Sequence, residues 1–317
     1  MLDKCHRFQW EPGDLDWSVP PREMERDDEI AICQYFTDMA GIERLASALF
    51  VEQMRKTEDP VLKEIFASFV KDELRHAQVA QMLADHYDVH HYKFYELNPA
   101  LRRFAPAFVK LIRFLSPEIA NTYVTSGELI LDVALLRSID DYVNDSMSSA
   151  AMHLINRDES RHIAVDFHMI EYYSSDEWIK KVEQQPAQTL SERVRSFRAM
   201  AKVIWYAKPF FRGVFFDPMG RVDPSGKRLR EAFKRIQLLA EKPQVRRRPF
   251  VRFMAKMREL YNDPVVGTVL GRLLVRITGV EPRWLETLFT DEEAAKAATM
   301  SFDELAADAL GAKYAVV

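Results

Sequence analysis

The stretch KDELRH (Lys71–His76) returns 86 residues later as RDESRH (Arg157–His162). Both copies read Asp-Glu-x-Arg-His. On an α-helix, residues three apart project from one face, so Glu73 and His76 converge on one point, as do Glu159 and His162. A carboxylate and an imidazole converging inside a bundle suit a divalent iron, manganese or zinc ion. Two such pairs suggest two ions. One copy alone reads more readily as a solvated charged face; the repetition argues against that.

Two Glu-x-x-His pairs leave two ions under-ligated, and a dinuclear bundle site needs one further Glu from each of two other helices. Glu43 in GIERLASALF and Glu128 in SGELILDVALL are acids on otherwise apolar or small-residue faces. Their spacing is an independent test. Glu43 and Glu73 are 30 apart, with the midpoint in TEDP (Thr57–Pro60); Glu128 and Glu159 are 31 apart, with the midpoint beside Asn144. Each acid is then about 15 residues, roughly 22 Å, from its hairpin turn, so all four carboxylates fall in one layer.

The helices follow from 3.6-residue periodicity and punctuation. The first runs from about Glu23 to Lys56. Asp59 is its successor's N-cap and Pro60 that helix's first residue, with the end near Tyr87. A third runs from Pro117 to Tyr142 and a fourth from Asn144-Asp145-Ser146 to Tyr173. Residues 88–116, broken by Pro99 and Pro106, supply the crossover that parallel second and third helices require. Shorter helices fill 176–317, split near Pro186, Pro218–Pro224, Pro243, Pro264 and Pro282. The expected fold is all-α: an irregular segment 1–22, a four-helix bundle over 23–175 and a helical extension over 176–317.

The chain has 317 residues, 48% hydrophobic and 29% charged, with 10 glycines, enough for a sizeable core. Only Cys5 and Cys33 occur, which argues against a disulfide framework, zinc ribbon or iron–sulfur cluster. The polar start is no signal peptide, and no apolar run is long enough to span a membrane. A reduced, cytoplasmic setting is expected. The net charge of −4 is uneven: residues 1–190 carry −13, residues 191–260 carry +13 and the remainder −4.

The doubled motif and its matched glutamates resemble the ferritin-like carboxylate-bridged non-haem di-iron family, over about residues 24–174. The resemblance is to its oxygen-activating branch of monooxygenases, N-oxygenases and acyl-carrier-protein desaturases. It implies a bundle with one long crossover and two iron ions, with a manganese–iron pair compatible with the same ligands. Glu73 and Glu159 would bridge the metals; Glu43 and His76 would complete one site, Glu128 and His162 the other. Asp72 would accept from His162 and Asp158 from His76, crossing between motifs, and Arg75 and Arg161 would offset charge behind them. Asp132 and Asp166 lie on or near ligand faces and read as a proton relay or labile ligand, or else as salt bridges. Monooxygenases of this family often carry Thr near the Asp132 position.

The implied activity is reduction of O2 coupled to hydroxylation, N-oxygenation or desaturation of an organic substrate, free or carrier-bound. The alternatives are a ferroxidase or peroxidase of the rubrerythrin type, or an oxidase like the ribonucleotide reductase small subunit. In the last, a Tyr usually follows the first motif His by four residues; here that residue is Ala80. Without its own redox centre, such an oxygenase needs an external donor, a ferredoxin or reductase. The basic segment interleaves cations with aromatics, as in VRSFRAMAKVIWYAKPFFRGVFF (Val194–Phe216). Nucleic acid, an anionic membrane surface, or an acidic carrier or donor protein could use such a surface; an acidic protein partner is preferred, unless the cations pair with the acidic bundle. A homodimer is compatible, and no nucleic-acid module is recognisable. Phe66, Phe69, Met152 and Ile155 read as plain bundle core or, less readily for any one of them, as the lining of a substrate pocket.

Overall fold

The computed structural model describes residues 1–184, 189–278 and 285–315. The protein is all-α, with no strand among the described residues. The breaks expected near Pro186 and Pro282 lie outside them.

Two antiparallel hairpins build the centre. Helix α2 (Arg26–Lys56) turns at Thr57–Asp59 into α3 (Pro60–Tyr87). Asp59 Oδ1 accepts from the N–H groups of Val61 (2.8 Å) and Leu62 (3.0 Å), and Pro60 takes the position whose N–H would be unused. The second hairpin begins with α5 (Pro117–Ile130). It continues through a π-helical segment, Leu131–Leu136, into α6 (Arg137–Val143). Asn144, in the left-handed region at φ 46°, ends it, and Asp145 caps α7 (Ser146–Tyr173) by accepting from Met147 N–H at 2.8 Å. α2 packs along α3 and α5 along α7, and the hairpins meet through α2–α5 and α3–α7 contacts.

Between them, residues 88–98 and α4 (Pro99–Phe114) form the crossover. Pro106 does not break α4, contrary to expectation. A proline removes one backbone donor, but here it sits on the exposed side, while Leu101, Phe104, Leu111 and Ile112 bury the opposite face. The N-terminal stretch, expected to be irregular, holds α1 (Leu2–Arg7) and a 3-10 turn, Pro12–Asp14; both pack on α3.

The remaining described helices cover the bundle. They are α8 (Asp176–Glu183), α9 (Leu190–Phe210), α10 (Asp217–Val222), α11 (Lys227–Glu241), α12 (Pro243–Arg246), α13 (Pro249–Asn262), α14 (Val266–Thr278), α15 (Asp291–Thr299) and α16 (Phe302–Ala315). α9 lies on α4, α11 on α5 and the Leu131–Leu136 segment, and α16 on α7. Pro209 precedes a second π-helical segment, Phe211–Phe216.

By length and composition, the continuous helix Pro117–Val143 could cross a membrane, contrary to the sequence expectation; 67% of its apolar window is buried inside the protein. A core helix passes the same test.

The core divides in two. α2 gives Ile32, Phe36 and Met39 to one apolar cluster and Leu45, Leu49 and Phe50 to the other; α3 gives Val79 and Leu83 to the first and Ile65, Phe66 and Phe69 to the second. Glu43, Glu73 and His76 fall at the seam.

Candidate metal centre

The seam is a layer of buried charge. Glu43, Glu73, His76, Glu159, His162, Asp72, Asp158, Asp132 and Asp166 are all fully inaccessible, and Glu128 is nearly so. Burying an ionised carboxylate without compensation is strongly unfavourable, so the carboxyls of this layer must either hold protons or meet positive charge.

The side chains fall into two overlapping groups. Glu43, Glu73, His76 and Glu159 form one, and Glu73, Glu128, Glu159 and His162 the other; within each group the candidate ligand atoms lie within 4.8 Å of one another. Glu73 and Glu159 belong to both. These are the six residues that spacing and resemblance select. Both oxygens of Glu43, Glu73 and Glu159, one of Glu128, and Nδ1 of each histidine are buried without a well-aligned hydrogen-bond partner. A converging set of unsatisfied oxygens and imidazole nitrogens fits divalent cations well. Four glutamates and two divalent ions balance in charge.

The histidine orientation has a visible cause. His76 Nε2 faces Asp158 Oδ2 at 3.2 Å, and His162 Nε2 faces Asp72 Oδ2 at 3.5 Å. Each aspartate draws the ring proton to Nε2 and leaves Nδ1 for a ligand. Nδ1 of His76 lies 3.2 Å from Glu159 Oε1 and 3.9 Å from Glu73 Oε2; Nδ1 of His162 lies 2.9 Å from Glu73 Oε1 and 3.2 Å from Glu159 Oε2. Behind them, Arg75 and Arg161 each bridge both aspartates. Arg75 Nη2 is 2.5 Å from Asp72 and 2.9 Å from Asp158; Arg161 Nη2 is 3.1 Å from Asp72 and 2.9 Å from Asp158.

The charges perturb one another. Burial, then Glu159, pushes the Glu43 carboxyl up to about 7. Glu73 and Glu128 are also driven well above the usual range, by burial and by Glu159. Glu159 goes the other way: burial opposes its charge, but the two histidines hold it ionised. Burial also opposes charge on the histidines. Asp158 and Glu159 nevertheless carry His76 to about 10, and Glu159 and Asp72 carry His162 to about 9. A proton on Nδ1 and a metal ion therefore compete for one lone pair.

Asp132 and Asp166 belong to neither group. Asp132 sits on the π-helical segment one turn beyond Glu128. Asp166 Oδ1 accepts from Asn121 Nδ2 at 3.1 Å, and burial raises its carboxyl to about 8. Asp166 thus joins a buried polar cluster rather than a surface salt bridge.

Two partners were not legible. Trp10 Nε1 donates to Asp158 Oδ2 at 2.7 Å, and its ring lies 5.0 Å beneath the Arg75 guanidinium. Gln9 Nε2 donates to Asp72 at 3.3 Å, while its Oε1 accepts from Arg75 at 3.0 Å. The only sequence signal was an aromatic residue beside Pro12-Gly13.

Of the two readings of Phe66, Phe69, Met152 and Ile155, the core one fits their packing. Phe66 and Phe69 pack with Phe50, and Phe50 and Phe69 lie against the His162 ring; Met152 and Ile155 are core. An apolar cavity of about 210 Å³ instead lies between α2, α4, α5 and α9, lined by Ile42, Leu45, Phe104, Phe108, Tyr123, Val203 and Phe210 and reaching Glu128.

Much of the basic segment does pair inward. Arg221 meets Asp28 at 2.8 Å, Arg228 meets Asp141, Arg247 meets Asp176 at 2.8 Å, and Arg248 Nη2 donates to the Glu118 carbonyl at 2.6 Å.

No family model matches the chain, and no curated protein matches it.

Proposed function

We propose that this protein is an O2-dependent di-iron oxidoreductase acting on an apolar organic substrate. One observation carries the reading: two four-residue clusters share Glu73 and Glu159, and an apolar cavity reaches the Glu128 of one cluster. Glu43 and His76 would hold one ion and Glu128 and His162 the other. Iron held there would supply reduction of O2 and oxidation of a substrate by hydroxylation, N-oxygenation or desaturation.

The chain's own residues have separable tasks. Ile42, Leu45, Phe104 and Phe210 exclude water from the substrate side and favour apolar groups. Asp72 and Asp158 hold the imidazoles so that Nδ1 faces the glutamates. Asp166, with its carboxyl raised by burial, holds a proton within the buried layer. The two cysteines provide no redox cluster, so electrons come from an external donor. Two buried free thiols suit a reducing cytoplasm. The ferritin-like comparison fits the paired hairpins and their crossover and belongs to this proposal.

The test is reconstitution with ferrous iron without oxygen, metal analysis, and then exposure of the reduced protein to O2 with apolar candidate substrates and a chemical reductant. Two irons per chain and O2-dependent product formation are expected. Failure to retain iron would overturn the metal assignment. Oxygen consumption that tracks only added ferrous iron would make the protein a ferroxidase.

A further inference from the structure

α9 has two apolar faces. The inner one, with Ala199, Val203 and Phe210, is buried against the crossover and forms one wall of the cavity. The outer one faces solvent. Leu190 is 79% exposed, Phe197 75%, Ile204 45% and Trp205 79%, and exposed Val194 lies among them. Their positions, 190, 194, 197, 204 and 205, share one helical side. This stripe is about 22 Å long at 1.5 Å per residue. A soluble helix normally shows one apolar stripe and a polar opposite face.

The flanks are cationic. Among the described residues, no carboxylate forms an ion pair with Arg193, Arg198, Lys202 or Lys208 on α9, or with Arg252 on α13. α14 packs beside both α9 and α13. Val269 on α14, Val265 just before it and Phe253 on α13 are exposed as well. On α9 itself, the apolar stripe and its flanking cations share one helix.

We propose that this surface docks on an anionic phospholipid bilayer, with α9 lying in the plane of the interface. Exposed aromatic and aliphatic side chains flanked by Lys and Arg are what such a position requires: the rings enter the acyl boundary and the cations meet the phosphates. A second copy of the chain fits less well, because a shared α9 face would bring like-charged flanks together. An acidic protein would satisfy the cations but not a continuous row of exposed apolar groups. Only the thickness of α9 separates the docking face from the cavity. An apolar compound dissolved in the bilayer therefore has a short way to Glu128. That last step rests on the proposed function; the docking does not.

The experiment is co-sedimentation of the full chain, metal-free and metal-loaded, with phosphatidylcholine vesicles with and without phosphatidylglycerol. Binding is expected in both metal states and at least about tenfold tighter on the anionic vesicles, as several surface cations imply. Phe197→Glu with Trp205→Glu should abolish it. Arg198→Glu with Lys202→Glu should weaken it about tenfold or more on anionic vesicles only. Unchanged circular dichroism and metal content would show that the variants fold. Equal binding to neutral and anionic vesicles, no binding, or parent-like binding by the variants would overturn the proposal. So would a stable dimer dissolved by Trp205→Glu, or capture by polyglutamate without any vesicle binding. Docking without O2-dependent oxidation would leave the surface standing while the catalytic reading fails.

Discussion

The metal layer and the outer face of α9 break the same rule in opposite directions. In the layer, eight carboxylates of glutamate and aspartate, two histidines and two arginines are buried where apolar side chains would pack without penalty. On α9, large apolar side chains stand in water where charged ones would be neutral in effect. The first is compensated inside the chain only in part. Asp72, Asp158, Arg75 and Arg161 neutralise one another, but among the described residues the four glutamates have only the two histidines against them. The second has no compensation within the described residues. Departures of this kind mark places where something outside the chain can complete the energetics; the two proposals assign cations to one region and a lipid surface to the other.

The sharpest way to break this comparison is Glu159→Ala. Because Glu159 belongs to both clusters, both metals should be lost. Glu43→Ala, in one cluster only, should leave the other metal bound. Metal analysis after dialysis decides; equal losses in the two variants would refute the sharing.

Asp158→Asn should come next. It removes the charge that sets His76 and leaves Arg75 and Arg161 with one buried aspartate. Metal affinity on the His76 side should fall roughly 10–100-fold, read by competition with a chelator.

Acidity should act through the same atoms. The raised values of His76 (about 10), His162 (about 9) and Glu43 (about 7) mean that these groups hold protons in the metal-free protein. An ion must displace them, so affinity should rise with pH up to about 10, changing about tenfold per pH unit for each proton displaced. The slope should be steepest below about 7, where Glu43 also carries its proton. A chelator titration at several pH values that gave a flat profile would contradict this.

Trp10→Phe keeps an aromatic, though smaller, ring and removes one buried hydrogen bond to a charged acceptor. A loss of about 1.5–3 kcal/mol in denaturant unfolding is expected, with metal content unchanged. The smallest effect belongs to the other region. Phe197→Ala should change stability by less than about 0.5 kcal/mol, although the side chain is a phenylalanine, because it buries little within the fold. A larger loss would show that the α9 face is packed against something in the chain.

Legibility differed between elements for physical reasons. Asp59-Pro60 and Asn144-Asp145 mark the two hairpin turns through capping chemistry confined to a few residues, and both lie where their sequence places them. Glu-x-x-His defines a helical face within one turn. α1 and Trp10 were not legible, since six helical residues carry little periodicity and the Trp10–Asp158 bond joins residues 148 apart. The π-helical segment beyond Glu128 follows no local breaker. Pro106 reads as a stop because its local effect is real, but amphipathic packing of α4 outweighs it.

By itself, then, the sequence determined the all-helical class, the turns of both hairpins and the heights of four glutamates and two histidines along their helices. Those depend on 3.6-residue periodicity and nearest-neighbour capping. Tertiary structure alone decided that Trp10 and Gln9 close the aspartate–arginine square. It also decided that the apolar cavity reaching Glu128 lies beside α9 rather than beside Phe66 and Met152, and that one face of α9 is left uncovered by the described residues. Each of these depends on which helices meet across long stretches of chain, and therefore on the competition for burial among all of them at once.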